Sequence, residues 1–382
     1  MALSKVNPNF VEQTPYGRRN MWINGAMQVW QRGTTFNSVA HPGYTVDRMR
    51  NAYTAWNNNT FNVTRSTDVP TGQGFQYSWQ IVKPTVESSI PANAQFNFSQ
   101  PMEIQHLQHL KYGTSSAETC TLSFWVKSSH AGTYSIRPYN PANNRFLYDT
   151  YTINAANTWE YKQIQIVGDT NTAISGTDNA VGMYVQWWLD VGSDFSTGTD
   201  GQGTWVPTGQ NYKQGVSSGF TTSGNNATFN ITGIQFEVGS TATPFEHRSF
   251  NEEWEACQRY CTVYNVGGGN THTNNYIGNN APVPGSGGHI DVGNRCEWFL
   301  SYPVKRASPT ITVTDPTEMR WLGPGNAVRD GNGAVTYPVG TSIQRANIFQ
   351  GVAGDFPTSV SPSYWGHANS GTYPKITIDA EL

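Results

Sequence analysis

Charge is scarce in this sequence: Lys and Arg together number 23 and Asp and Glu 26 among 382 residues, for a net charge of −3. No run of Lys or Arg gathers the cations, so nothing grips a polyanion, and nucleic acid is not an expected partner. Cysteine is nearly absent. Cys120, Cys257, Cys261 and Cys296 are too few and too scattered for a disulfide framework, which predicts buried free thiols in a chain assembled in a reducing cytosol. No apolar run approaches the roughly 18 residues of a membrane helix, and the opening MALSKVNPNF has no apolar core of signal-peptide length. Membrane insertion and Sec export are therefore not expected.

Catalytic motifs are missing too. There is no GxSxG elbow, no HExxH and no phosphate-cradling loop, and the glycines at 267–269 are not one. The paired carboxylates of a glycan-cleaving enzyme need no local motif, and Glu87, Glu103, Asp190 and Glu237 are the candidates for that role. Each is more simply a turn or ladder residue. His106 with His109, and Cys257 with Cys261, have one-turn spacings but no completing ligand. The expectation is a non-enzyme without metal or cofactor.

What is abundant is glycine, at 38 residues, and aromatic rings: 13 Trp, 19 Tyr and 17 Phe. With many Asn, Ser and Thr, this composition predicts an all-β chain of short strands and turns. Cys120, Leu122, Phe124 and Val126 alternate with polar residues and Trp125, the clearest strand signal in the chain. Phe75 to Ile81, Ile164 with Ile166, and Val181 to Leu189 repeat the pattern. Phe229, Ile231, Ile234, Phe236 and Val238 alternate with a phase slip at Thr232-Gly233, which predicts a β-bulge. The fold class read from these runs is a jelly-roll β-sandwich like that of carbohydrate-binding modules, over residues 21–248 after a polar arm, 1–20.

Ser249 and Glu252 have capping-box spacing and open a predicted linker helix, 249–264, with Trp254, Cys257 and Cys261 as its buried stripe and Glu255–Arg259 outside. The three glycines at 267–269 are expected to stop it. Residues 265–382 read as a smaller β domain with strands around 302–304, Ile311–Val313, Ile343 and Ile376–Ala380.

The segment GIQFEVGSTATPFEHRSFNEEWEACQRY resembles a signature of bacteriophage tail-fibre and virion structural proteins. INGAMQVWQRGTTF with YTVDRMR, LQHLKYGTSSAETCTLSFWVKSSHAGTY and YPVKRASPTITV agree with the same group, together spanning most of residues 20 to 315. The resemblance implies a virion protein, an appendage assembled in the host cytoplasm and working outside it. The partners it implies are further copies of the chain, as a homotrimer, other tail proteins through the arm, and a host-surface glycan or receptor. The alternatives are a non-adhesive virion component and a polysaccharide depolymerase.

Sugars dock on aromatic faces flanked by amides and hydroxyls. Trp125 lies on the polar side of its strand, and of the adjacent Trp187 and Trp188 one is expected in the core and the other, Trp188, outside. Tyr276, Trp321 and Trp365, with His272 and His289 nearby, are expected on outward-reaching loops of the C-terminal region. Trp125, Trp188, Tyr276, Trp321 and Trp365 are thus the candidate glycan or receptor contacts.

Overall fold

The computed structural model describes residues 18–39, 41–56, 60–209, 212–265, 285–291, 295–314, 319–322, 328–336, 345–352, 363–367 and 375–381. The chain divides into two compact units, Met1–Glu253 and Trp254–Leu382. In the first unit, short strands β1 (Thr35–Phe36) and β2 (Gly43–Tyr44) are followed by β3 (Arg50–Thr54), β4 (Asn62–Ser66), β5 (Ser78–Lys83) and β6 (Gln95–Glu103). Then come β7 (Cys120–Ser128), β8 (Gly132–Asn140), β9 (Arg145–Phe146), β10 (Asp149–Ile153) and β11 (Glu160–Ile166). β12 (Val181–Val191), a one-turn helix α1 (Ser193–Ser196), β13 (Val206–Pro207) and β14 (Ala227–Val238) complete it.

The strand order makes this unit a jelly roll. One antiparallel sheet runs β1-β4-β5-β14-β7-β11, and the other runs β13-β9-β8-β12-β6-β3-β2 with β10 also on β8. The chain crosses between sheets at β1 to β2, β3 to β4, β5 to β6, β6 to β7, β7 to β8, β10 to β11, β11 to β12 and β13 to β14. That leaves β5-β14-β7-β11 facing β10-β8-β12-β6, the paired Greek keys of a jelly roll.

The alternation read from sequence sets the inner faces. Leu122, Phe124, Val126, Ile164, Ile166, Phe229 and Ile231 point inward from one sheet, and Phe98, Ile136, Met183, Val185 and Trp187 from the other, all buried. Trp187 lies at the centre. Its ring is stacked on Phe98 at 5.3 Å and edge-on to Phe124 at 5.3 Å and Trp22 at 5.2 Å, geometries that add to the burial of so large a side chain. Trp22, Trp30, Trp56, Trp79 and Trp205 are also buried within the chain, so hiding this aromatic density requires no second subunit.

Several boundaries differ from the sequence reading. The strand expected from Phe75 begins only at Ser78, and Ile104, Leu107 and Leu110 sit on two consecutive 3₁₀ turns, Ile104–His106 and Gln108–Leu110. Residues 1–17 of the predicted arm lie outside the described residues; Arg18 to Asn20 belong to the sandwich, with Asn20 buried. Cys120, Cys257 and Cys261 are buried thiols outside any disulfide.

Helix α2, Phe250–Gln258, carries the division between the units. Its first turn has the predicted capping box: Ser249 N–H donates to Glu252 Oε2 at 3.0 Å, and Glu252 N–H to Ser249 Oγ at 3.3 Å. It does not reach the glycines. Cys261 leaves the expected helical stripe for β15, Cys261–Asn265, where Thr262, Val263 and Tyr264 favour extended backbone. The end is enforced by YPVKRAS: Lys305 Nζ donates to the carbonyl of Gln258 and to Thr262 Oγ1, and Arg306 N–H to the Arg259 carbonyl at 3.0 Å. These bonds satisfy the carbonyls left open by a helix end.

Within the second unit, β15, β23 (Lys375–Asp379) and β18 (Thr310–Thr314) pair as a three-stranded sheet around Ile311, Ile376 and Ile378. A second sheet runs β16-β17-β21-β20-β19-β22, from Gly285–Asp291, Arg295–Ser301, Arg345–Val352, Val328–Thr336, Met319–Leu322 and Ser363–His367. Tyr302 to Val304 follow β17 and are not part of it, since Pro303 has no amide to give a ladder, and Ile343 lies outside the described residues. Among the described residues no helix is long and apolar enough to cross a membrane.

Replacing Trp187 by Ala removes the ring that three other aromatic rings pack on and is expected to cost about 3–5 kcal/mol. Urea unfolding followed by circular dichroism measures this; a loss below ~1 kcal/mol contradicts its central place in the core.

Candidate functional site

The site is built on the bulge in β14. Thr232 pairs with Trp125 of β7, but the next pair is Gln235 with Ser123, so one extra residue is inserted where the sequence pattern slips. Gly233 takes φ +64° there. A Cβ on it would stand 2.6 Å from Phe75 Cζ, so glycine is required twice, by the backbone and by the ring lying over it.

Beyond the bulge, the polar side chains of β14 fasten the next segment across the outer face of the sheet. Glu237 accepts the N–H of Thr243 at 2.8 Å and its hydroxyl at 2.6 Å, while Gln235 donates to the Thr243 carbonyl at 3.2 Å and accepts Glu246 N–H at 2.8 Å. Thr243 to His247 therefore form a strap. Phe245 of the strap stands edge-on to Phe75 at 5.0 Å, and the His247 ring lies 5.3 Å from Phe75 and 4.8 Å from Phe245.

Opposite this wall, Trp125 and Tyr161 are cross-strand partners of β7 and β11, with ring centroids 5.4 Å apart. Between the walls is an open cleft of about 540 Å³, floored by Ser123 and Gly233 and rimmed by Gly72, Gln73, Thr243 and Pro244. Tyr161 is 44% exposed. The cleft is small-ligand sized, largely apolar, and bordered by a few amide and hydroxyl groups.

Charges on β7 and β11 beside it are internally paired, and Arg19 donates to the Pro244 carbonyl at 3.3 Å. Lys127, next outward on β7, forms an ion pair with Asp68, which also accepts Trp159 Nε1–H at 2.9 Å. Burial pushes the Asp68 carboxyl up, but hydrogen bonds from Lys127 and Trp159 outweigh it and hold the group below its ordinary value. Lys162 pairs with Glu160 at 2.6 Å on β11.

The strap is anchored at its far end by a polar knot. Asn20 donates to the Ile234 carbonyl at 3.0 Å and accepts Phe236 N–H at 3.0 Å, replacing ladder bonds that the bulge disrupts. Glu246 accepts Asn20 N–H at 2.9 Å, Arg248 reaches Glu246 at 3.1 Å and Glu253 at 3.3 Å, and Glu253 accepts Asn24 N–H at 2.6 Å. Burial pushes Glu246 up, yet the bonds from Asn20 and Arg248 leave its carboxyl below its ordinary value. For Glu253 desolvation wins over Arg248, and its carboxyl is raised.

Of the residues singled out from sequence, Trp125 is in the cleft. Trp188 is not available: it is only 1% exposed, because α1 and the chain after it fold over the outer face of its sheet. Phe195 stands 5.6 Å from the Trp188 ring, Arg137 lies 5.0 Å over it, and Gly215 packs so closely that a Cβ would sit 3.3 Å from the indole. Tyr276 and His272 lie outside the described residues, and Trp321, Trp365 and His289 fall in strands β19, β22 and β16, not on the loops expected for them. Sequence reasoning missed Tyr161, Phe245 and His247 and assigned Phe75 to a strand; the paired alternations of β7 and β11 were the available signal for Tyr161.

The four carboxylates weighed for glycan cleavage are all buried. Glu87 pairs with Lys83 at 2.7 Å, Gln105 donates to Glu103 at 2.6 Å, Glu237 holds the strap, and Asp190 accepts the Thr221 N–H at 3.0 Å and hydroxyl at 2.7 Å. Among the described residues no group of three or more His, Cys, Asp and Glu is placed to hold a metal ion.

No protein-family model and no curated protein sequence matches the chain. Solved structures do match: a family 61 carbohydrate-binding module in complex with β-1,4-galactotriose, at 8% identity and TM-score 0.28 over 59% of this chain and 100% of the module, is one. A family 4 carbohydrate-binding module matches at 13% identity and TM-score 0.26, over 56% of this chain and 98% of that one. A family 11 module of a Clostridium thermocellum cellulase matches at 8% identity and TM-score 0.25, over 57% of this chain and 100% of the module. The jelly-roll assignment rests on the strand order above.

Two outcomes follow. Gly233→Ala forces a side chain at positive φ against Phe75 and is expected to destabilise the chain by about 1–3 kcal/mol and to lower any cleft binding; thermal unfolding at wild-type temperature would contradict the role given to the bulge. Because the Glu246 carboxyl is depressed in the folded chain, its stabilisation is present above the unfolded value of 4.5 and lost as pH falls through the folded value. Glu246→Gln should therefore flatten the acid limb of a stability-against-pH curve, whereas Glu253→Gln, at a raised carboxyl, should not.

Proposed function

We propose that this chain is a bacteriophage virion protein, a tail fibre or fibre-like appendage, that adheres to host-surface glycan through the cleft on its jelly roll. Placement on a virion rests on the four sequence segments that resemble such proteins. The adhesive part rests on one observation: five aromatic rings, Phe75, Trp125, Tyr161, Phe245 and His247, line an open cleft at the scale of a short oligosaccharide. Faces of sugar rings present C–H groups that pack on aromatic rings, while their hydroxyls need amide and hydroxyl partners of the kind Gln73, Ser123 and Thr243 supply.

Mounting through residues 1–20 and trimeric assembly belong to the same reading and are supported by the resemblance alone. A depolymerase is disfavoured by the burial of the four carboxylates weighed for it. The non-adhesive alternative makes the opposite forecast for the cleft.

The full chain, labelled and applied to an array of bacterial surface polysaccharides, should bind a subset of them, and Trp125→Ala/Tyr161→Ala should lose at least about tenfold in affinity. Both side chains lie on an outer sheet face, so the variant is expected to keep the wild-type circular dichroism spectrum. An array with no bound polysaccharide, or equal binding by the variant, would sink the adhesive reading.

A further inference from the structure

We infer that the cleft selects uncharged glycans and rejects acidic ones such as uronic-acid polymers; this rests on the adhesive reading above and narrows it. The sign and pairing of the charges around the site carry this inference. Among the described residues no Asp, Glu, Lys or Arg lines the cleft, and its ionisable members are Tyr161 and His247, the His247 ring packing against Phe75 and Phe245. On β7 the cation nearest along the strand, Lys127, is held by Asp68 beneath Trp159. On β11 the residues flanking Tyr161 are Glu160 and Lys162, which pair with one another. On the strap, Glu246 is held by Arg248.

A carboxylated sugar entering this cleft would shed water from its charge against apolar rings and meet no cation among the lining residues in return, while the Arg19 guanidinium at the strap already donates to the Pro244 carbonyl at 3.3 Å. Desolvating an ion without a partner is costly, and freeing Lys127 to meet it would strand Asp68. A neutral hexose faces neither cost. Its C–H face lies on Trp125 or Tyr161 and its hydroxyls exchange water for the Gln73 amide and the hydroxyls at the rim. The same physics sets the salt response: stacking and neutral hydrogen bonds are insensitive to ionic strength, unlike charge recognition.

The test titrates the full chain, by tryptophan fluorescence and calorimetry, with a panel of neutral hexasaccharides (glucans, galactans and mannans of α and β linkage) and a matched panel of oligouronates. At least one neutral oligosaccharide should bind, at least about tenfold more tightly than any uronate of equal length, with an affinity unchanged on raising salt from low to physiological. Gln73→Arg, at the exposed rim, should narrow or reverse that preference by supplying the missing cation, and needs no change in the core.

Uronates bound as tightly as neutral chains, with loss in Trp125→Ala/Tyr161→Ala, would overturn the selectivity while leaving the adhesive cleft standing. Binding of neither panel by a chain that still binds array polysaccharides through these two residues would overturn the selectivity alone. Binding of neither panel and of no array polysaccharide would overturn both.

Discussion

The rest of the first unit depends on a single inserted residue in β14. Inside a central strand an extra residue breaks the ladder to β7, and open backbone groups in a buried sheet are costly unless something else satisfies them. Asn20 does so from one side, with its amide on Ile234 and Phe236, while Gly25 accepts Ile234 N–H at 3.0 Å. Gly25 is itself confined, since a Cβ there would stand 2.1 Å from the Ile234 carbonyl oxygen. On the outer face the same bulge brings Gly233 under Phe75 and so sets one wall of the cleft. One local irregularity thus ties the start of the described chain to the end of the jelly roll and positions an aromatic site.

This arrangement explains how the few charges are used. Carboxylates at Glu237, Glu246 and Glu253 and the guanidinium of Arg248 act as internal fasteners between segments far apart in sequence. Lys305 and Arg306 play the same part at the end of α2 within the second unit. Such groups stabilise because each buried charge has hydrogen-bonding partners, and removing one would leave the other desolvated. The segments that carry the sequence resemblance, INGAMQ, GIQFEVG with TPFEHR, and YPVKRAS, are therefore the segments whose polar atoms close the fold.

Much of the β architecture was legible. Period-two alternation identified the inner faces of β7, β11, β12 and β14, and the phase slip at Thr232-Gly233 marked the bulge, because burial on one side of a sheet dictates residue type at every second position. The capping box at Ser249 was legible for a similar reason: its bonds are local. The end of α2 was not, because the residues that satisfy its last carbonyls lie 47 positions downstream, at Lys305 and Arg306.

The candidate site divided along the same line. Composition and alternation by themselves determined an all-β chain as rich in aromatic residues as in charges, with Trp125 on the outer side of its strand, because these follow from backbone periodicity and the cost of burying polar surface. Which outer aromatic stays accessible was decided only by tertiary structure. Trp125 and Trp188 look alike in sequence, each a tryptophan on the polar side of a strand, yet α1 and residues 212–217 fold over Trp188 while the strap at Thr243–His247 stops short of Trp125 and leaves a cleft. Segments distant in sequence do the covering, and their path is set by long-range hydrogen bonds and packing that no local pattern encodes.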